Sequence, residues 1–330
     1  MNELVVVAEE VRTALDGGRP VVALETTLVA HGFPAPDGVE VGLESEAAVR
    51  SAGAVPATIG VLDGRVRVGL DAAELARFTP DARKAGPRDL AACAVLGAVG
   101  ATTVGGALAV SALVGIRFLG TGGIGGVHRG FPTPPDVSAD IPALARTRAL
   151  VVSSGAKSLL DVPATMELLE TLGVPVIGFR TDTMPLFYSA AGGPQVPQRV
   201  ESAAEAARIA EGHWRLGGAG VLLASPPPES LEVEDLIEEA LAEAGRQGVS
   251  GQAVTPFVLA RLHERSGGRT REVNRDLVVA NARLAGDVAI AFSGRQEMGG
   301  RSRPSPWALR PYPPSRARGR RAAPSARPCR

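Results

Sequence analysis

The sequence predicts an α/β fold: a single α/β/α layered domain around a central, largely parallel sheet, with a disordered C-terminal tail. Short apolar runs of strand length alternate with segments of helical spacing, and that alternation implies a mostly parallel sheet covered on both faces. Hydrophobic residues make up 45% of the 330, ample for the core such a sheet needs. From Ser293 onward the chain becomes rich in Arg, Pro, Ser and Gly without periodicity, a composition that cannot build a packed core. The boundaries drawn are therefore 1–292 for the domain and 293–330 for the tail.

The strands are read, in chain order, at "VVALETTL", "VPATIGVL", "IRFLGTGG", "ALVVSSG", "VPVIGF" and "GVLLAS". Each is a continuous apolar run of the kind buried on both faces, and several end in small or polar residues. Helical spacing appears between them in "DGVEVGLESEAAVRSAG", "SLLDVPATMELLETLG", "SAAEAARIAEGHWRLGG" and "VEDLIEEALAEAGRQG", most of which stop at glycine. Residues 91–116 carry no charge over a length that could cross a bilayer. They are dominated by Ala, Gly and Thr and interrupted by "GATTVGG", so the expectation is a buried helix, a short strand and a second helix. "TPFVLARLHERSGG" and "TREVNRDLVVANARLAGDVAIAF" then supply helices that close the domain.

Bulk charge narrows the function classes. A formal net charge of zero gives no global reason to expect a nucleic-acid or membrane partner. The start, "MNELVVVAEEVRTAL", has glutamates where a secretory signal needs a basic segment, so a cytoplasmic location is expected. Cys93 and Cys329 are too far apart for a disulfide framework or a metal knuckle, and Cys93 reads as a small core residue.

The chemistry-bearing residues cluster at the predicted strand ends, where ligands gather in such sheets. Gly120, Gly122 and Gly125 satisfy G-x-G-x-x-G, the dinucleotide fingerprint, but that motif needs a helix to start inside the turn. Here "VHRGFPTPPD" follows, and its prolines oppose a helix. The turn can still hold an anion on its backbone N–H groups, with His128 and Arg129 beside it; a tight turn without ligand is the alternative. Asp136 and Asp140 flank Ser138 in the next loop, oxygen ligands suited to Mn²⁺ or Mg²⁺ or simply solvated acids. Glu25 ends an apolar strand, where lost hydration should raise its pKa toward that of a proton donor, unless it is a structural glutamate. Lys157 and Lys84 are the chain's two lysines. Lys157 follows a strand and precedes a predicted helix, a setting that disfavours its charged form and frees it as a nucleophile. Arginine stays protonated and cannot form an imine. Lys84 is either a phosphate contact or a solvated charge. His31 lies near these motifs, His213 and His263 read as structural helix residues, and Asn281 either reaches a ligand or is a surface amide.

Taken together, these stretches resemble the pseudouridine-5′-phosphate glycosidase family, whose fold is shared with indigoidine synthase A-type proteins. The match runs from about Val5 to Ala291 through "VVALETTLVAHGFPAPDGVEVG", "GAVPATIGVLDGRVRVGL", "GTGGIGGVHRG", "DVSAD", "SSGAKSLLD", "GVPVIGF" and "TPFVLARLHERSGG". The resemblance implies cleavage of the carbon–carbon glycosidic bond of pseudouridine 5′-phosphate, reversibly, to uracil and ribose 5-phosphate through a lysine imine. It implies Glu25 as proton donor and Lys157 as covalent nucleophile. Lys84, Val104, Ser138, Ala139 and Asp140 match substrate-binding positions, and Asp136 matches the ligand of one Mn²⁺ per subunit, with Mg²⁺ or another divalent ion as a substitute. His128 joins the pocket, and the assembly is a homotrimer. Two departures stand out: "ETTLVAHG" replaces the family's usual "ESTIISHG", and the metal loop has extra prolines in "FPTPPDVSAD". The rival classes are a noncatalytic sugar-phosphate-binding module, a class I aldolase-like lyase and a nicotinamide dehydrogenase.

Overall fold

The structure, a computed structural model, describes residues 3–298 apart from 130, 131, 133–135, 158 and 250. The strands are β1 (Val5–Val7), β2 (Val21–Glu25), β3 (Val55–Leu62), β4 (Arg65–Val68), β5 (Arg83–Ala85), β6 (Gly100–Thr102) and β7 (Phe118–Gly120) in the first part of the chain. The second part adds β8 (Val127–His128), β9 (Leu150–Ser153), β10 (Leu160–Asp161), β11 (Val176–Phe179), β12 (Gln198–Val200) and β13 (Val221–Ala224). The main sheet runs β1-β4-β3-β2-β7-β9-β13-β11-β12, with β6 paired to β3 and β5 to β6. Its centre, β3-β2-β7-β9-β13-β11, is parallel throughout, while β3 meets β4 and β6 in antiparallel pairs.

Each central strand is buried on both sides, and alternate residues serve opposite faces. Val22, Leu24, Leu150, Val152, Val221 and Leu223 join one apolar cluster; Val21, Ala23, Val151, Leu222 and Ala224 join the other. The helices that cover these faces are α1 (Glu9–Asp16), α2 (Asp37–Ser51), α3 (Ala72–Leu75), α4 (Leu90–Val95), α5 (Val104–Val114) and α6 (Asp140–Arg146), followed by α7 (Val162–Thr171), α8 (Ala203–Arg215), α9 (Glu234–Arg246), α10 (Val254–Arg265) and α11 (Arg269–Met298). Helices α2, α8 and α11 cover the first face, where Phe118 of β7 packs edge-on against Trp214 and Phe292 at centroid distances of 6.1 and 5.4 Å.

The uncharged stretch 91–116 forms α4, β6 and α5, the expected helix, strand and helix. Cys93 is buried in the core. By length and composition α11 is apolar enough to cross a membrane, yet 56% of that window is buried inside the fold. The tail boundary is corrected: α11 continues past Ser293 to Met298. There Ser293 Oγ donates to the Ala289 carbonyl at 3.1 Å, and Arg295 pairs with Glu211 at 3.2 Å, so those residues extend the helix. The remainder of the expected tail, 299–330, lies outside the described residues.

The setting of Lys157 also differs from expectation. β10 stands between it and α7, whose N-cap is Asp161. The pairing of Leu160 with His128 captures the chain before it can turn helical, so α7 begins only at Val162 rather than directly behind the lysine.

Candidate active site

Strand register brings the reactive residues to one edge of the sheet. Leu24 pairs with Gly120 and Gly120 with Val152, so Glu25, Thr121 and Ser153 emerge at one level at the carboxyl ends of β2, β7 and β9. The "ETT" segment then fixes its own neighbours. Thr26 Oγ1 donates to the Ile59 carbonyl at 2.8 Å, and Thr27 Oγ1 to the Thr102 carbonyl at 2.7 Å. The first hydroxyl ties the end of β2 to β3 and the second ties it to β6, and β6 pairs with β5 at Ala101 and Lys84. The chain next makes a single π-helical turn, Leu28–Gly32, which carries His31.

A cavity of about 460 Å³, counted out to its opening, is lined by Glu25, Lys84 and Lys157 together with His31, Thr121 and Asn274. Its apolar lining includes Leu28, Phe187, Pro256 and Leu259. Glu25 is 7% exposed and accepts a 2.6 Å hydrogen bond from Thr121 Oγ1. Burial lifts its pKa to about 7; the Lys157 ammonium opposes that rise most, followed by the Thr121 hydrogen bond. The carboxyl therefore keeps a large protonated fraction at neutral pH. Burial also lowers Lys84 to about 8, assisted by the like charge of Lys157. His31 is held below the ordinary imidazole range by burial and then by Lys84. An acid that is protonated near neutrality, a half-buried primary amine and a second, easily neutralised amine thus share one space.

The glycine turn that suggested an external anion holds an internal one. Asp140, 5% exposed, accepts the Gly105 N–H at 2.7 Å on Oδ1 and the Gly125 N–H at 2.8 Å on Oδ2. Its carboxylate caps the start of α5 and clasps the turn, both donors being of the kind that favour an anion. A Cβ at Gly125 would sit 2.2 Å from Ser138 Oγ, so only glycine admits this approach. No helix starts within the turn: β7 leads to β8, and the next helix begins at Asp140.

Of the residues singled out by sequence, Glu25, Lys84 and Lys157 line the cavity together with His31. Val104 is the buried first residue of α5, Ala139 is the N-cap of α6, and Ser138 Oγ accepts the Asp140 N–H at 3.2 Å. These three surround the Asp140 clasp, outside the cavity wall. Asn281 is neither a surface amide nor on that wall. It is 1% exposed, and its Nδ2 donates to the Thr121 carbonyl at 2.9 Å and to Ser154 Oγ at 3.1 Å. Gly120 allows this by letting α11 approach: a Cβ there would lie 2.9 Å from the Ala282 Cα. His128 feels the positive charge of Lys157 and Lys84, although burial is the main cause of its lowered pKa. Its Nδ1 is 3.8 Å from an Asp136 carboxylate oxygen, and the Asp136 side chain is 40% exposed. His213 and His263 lie on α8 and α10, off the cavity wall. Sequence reasoning missed Thr121, Phe187 and Asn274. Thr121 was hidden in a glycine run, and the other two come from segments that carry no motif.

Comparison with known proteins places this geometry in a lineage. The model of the family described as "Indigoidine synthase A like protein" matches residues 10–291. A pseudouridine-5′-phosphate glycosidase of Sorangium cellulosum (strain So ce56) is 47% identical over 305 residues, 90% of this chain and 95% of that protein. A protein of the same name from Deinococcus radiodurans is 48% identical over 292 residues, 86% and 93% of the two chains. The crystal structure of the prealnumycin C-glycosynthase in complex with ribulose 5-phosphate superposes with a TM-score of 0.82 at 40% identity, covering 90% of this chain and 100% of that one. An indigoidine synthase A-like protein of Thermotoga maritima gives 0.80 at 36% identity, covering 89% and 98%. With nearly every described element matched in sequence and in space, the chain belongs to the indigoidine synthase A like family.

Proposed function

We propose that this chain is a pseudouridine-5′-phosphate glycosidase, cleaving the bond between ribose C1′ and uracil C5 to give uracil and ribose 5-phosphate. The observation that carries the reading is the shared cavity of Glu25, Lys84 and Lys157, with Glu25 titrating at about 7. The relatives' name and the sugar phosphate held by the C-glycosynthase support the same substrate class.

A carbon–carbon glycoside has no exocyclic oxygen through which acid can release the base. Lys157 Nζ, as the free amine, attacks C1′ while Glu25 delivers its proton to the ring oxygen, opening the ribose. The proton shed by the new carbon–nitrogen bond balances the one taken up at uracil C5. The C1′–C5 bond then breaks with its electron pair passing to the base, as the nitrogen lone pair forms the imine. Water adds to the imine, releases ribose 5-phosphate and restores the amine, so the net reaction is a hydrolysis that proceeds through a lyase-like step. Lys84, easily neutralised beside Lys157, raises the cost of charging both amines together and can contact phosphate when protonated.

For Mn²⁺ or Mg²⁺, Asp136 offers a half-exposed carboxylate with His128 beside it. Among the described residues no group of three or more His, Cys, Asp or Glu side chains forms a metal cluster. The donors therefore fit a hard ion held largely by water and substrate phosphate. Such an ion neutralises phosphate charge when bound. We assign the chain to the cytoplasm, where a nucleotide monophosphate is available, and to a homotrimer; exposed Val95, Leu96 and Leu113 give an assembly apolar surface to cover. Light scattering tests the trimer.

Incubation with pseudouridine 5′-phosphate and Mn²⁺, followed by borohydride and peptide mass mapping, tests the function. Uracil release and a reduced ribose phosphate adduct on Lys157 are expected. Phosphate-sugar binding without uracil release would leave the noncatalytic module as the better reading, and an adduct formed only from carbonyl sugar phosphates would favour the aldolase-like lyase.

A further inference from the structure

Asn274, on α11, lines the cavity yet is 2% exposed. Its Nδ2 donates to the Gly32 carbonyl at 3.5 Å, which favours this sense of the carboxamide, since the reverse flip would set two acceptors against each other. Its Oδ1 is buried without a hydrogen-bond partner among the described residues. A buried acceptor is costly to leave unmade, so this oxygen calls for a donor that arrives with a ligand. Phe187, 4% exposed, lines the same cavity with Pro256 and Leu259, giving that cavity flat apolar surface.

We propose that Asn274 reads the pyrimidine base, its Oδ1 accepting a ring N–H while the apolar residues cover the ring faces. The inference rests on the function proposed above and assigns the base-recognition element of that site. Phosphate presents only acceptors and would be repelled by the Oδ1 lone pairs. Ribose hydroxyls can donate, but they rotate freely and their ring has no flat apolar face to match Phe187. In pseudouridine the base is joined through C5, so N1–H and N3–H both remain, flanking the C2 carbonyl on the edge away from the sugar. These are fixed donors on an apolar plane, the combination that the cavity complements.

The test compares kcat/KM for pseudouridine 5′-phosphate with that for its N1-methyl and N3-methyl derivatives, in the wild-type chain and in Asn274→Ala and Asn274→Ser. Wild type should disfavour one methylated substrate by roughly 10- to 100-fold, the range of one buried hydrogen bond. Each variant should lose a similar factor on the unmodified substrate and discriminate between it and that derivative by less than about 3-fold. Inhibition by ribose 5-phosphate, which has no base, should be unchanged and shows that each variant is folded. The proposal fails if wild type accepts both derivatives at the unmodified rate, or if a folded variant keeps the wild-type discrimination. Should neither variant fold, the wild-type comparison still decides, because acceptance of both derivatives overturns the proposal and rejection of one supports it. Absence of uracil release from the unmodified substrate would instead overturn the proposed function, a separate outcome.

Discussion

Glu25 has to keep its proton at a pH where an exposed glutamate has lost it, and this has a consequence for stability. Its pKa stands at about 7 in the fold against 4.5 for an exposed glutamate. Between those values the folded chain binds a proton that the unfolded chain has released, so stability falls as pH rises through that window. The shift corresponds to about 3 kcal/mol once the carboxyl is fully ionised. Glu25→Gln keeps the shape without the titration. Its melting temperature relative to wild type should be clearly higher at pH 8 than at pH 5; an equal offset at both would mean that the carboxyl is not perturbed. The same variant should lose roughly 10²- to 10⁴-fold in turnover, the usual contribution of a general acid. Thr121→Val removes a hydrogen bond that lowers the Glu25 pKa, so the alkaline fall of kcat/KM should move to higher pH in a pH–rate profile. Lys157→Arg preserves charge but cannot form the imine, and residual turnover above about a thousandth of wild type would contradict its role. Glu25 is legible in sequence because a carboxylate ending an apolar strand is conspicuous. Thr121 is not, because only the pairing of β2 with β7 brings its hydroxyl within 2.6 Å of that carboxylate.

At the scale of elements, the site depends on two clips, Asp140 joining α5 to the glycine turn and Asn281 joining α11 to the same turn. Asp140→Asn replaces one carboxylate oxygen with an NH₂ facing a backbone N–H. Losing one charge-assisted bond and opposing two donors should cost about 2–3 kcal/mol, read as a lower urea midpoint with unchanged slope. The turn carries Gly122 and Gly123 of the cavity wall, so kcat should fall as well. An unchanged midpoint would show that the clasp contributes no stability. The runs "VPATIGVL", "VVALETTL", "IRFLGTGG", "ALVVSSG", "GVLLAS" and "VPVIGF" contain the parallel centre of the sheet in its spatial order, and they were legible because burial on both faces leaves a continuous apolar run. The short strands β5, β8 and β10 leave no such trace. Lys84 sits in one of them and Lys157 just before another, which is why Lys84 read as either a phosphate contact or a solvated charge and Lys157 as a helix-terminal amine. Asn281 misled for a related reason: nothing in "VANARLA" reveals that Gly120, far away in the chain, lets that side of α11 close onto β7.

Across the whole molecule, the cavity draws Glu25 from the first strand of the sheet centre, Lys84 and Lys157 from its periphery, and Thr255 and Asn274 from the helices that follow the last strand. No contiguous part of the chain owns the site, and α11 packs on strands β2, β7 and β9 as well as on α2 and α8. A ligand that bridges these walls should therefore stabilise the domain as one unit rather than one lobe of it. Ribose 5-phosphate at a hundred times its dissociation constant should add about 2.7 kcal/mol, a rise of several degrees in melting temperature for a chain of this size. Circular dichroism of the whole fold and fluorescence of Trp214, which packs from α8 against β7 and α11, should move together by the same amount. If the sugar phosphate shifts one signal and leaves the other in place, α11 unfolds separately from the sheet. A site that needs Asn274 and Glu25 in one cavity would then be assembled only when both units are folded, and catalysis should be lost at the lower of the two transitions.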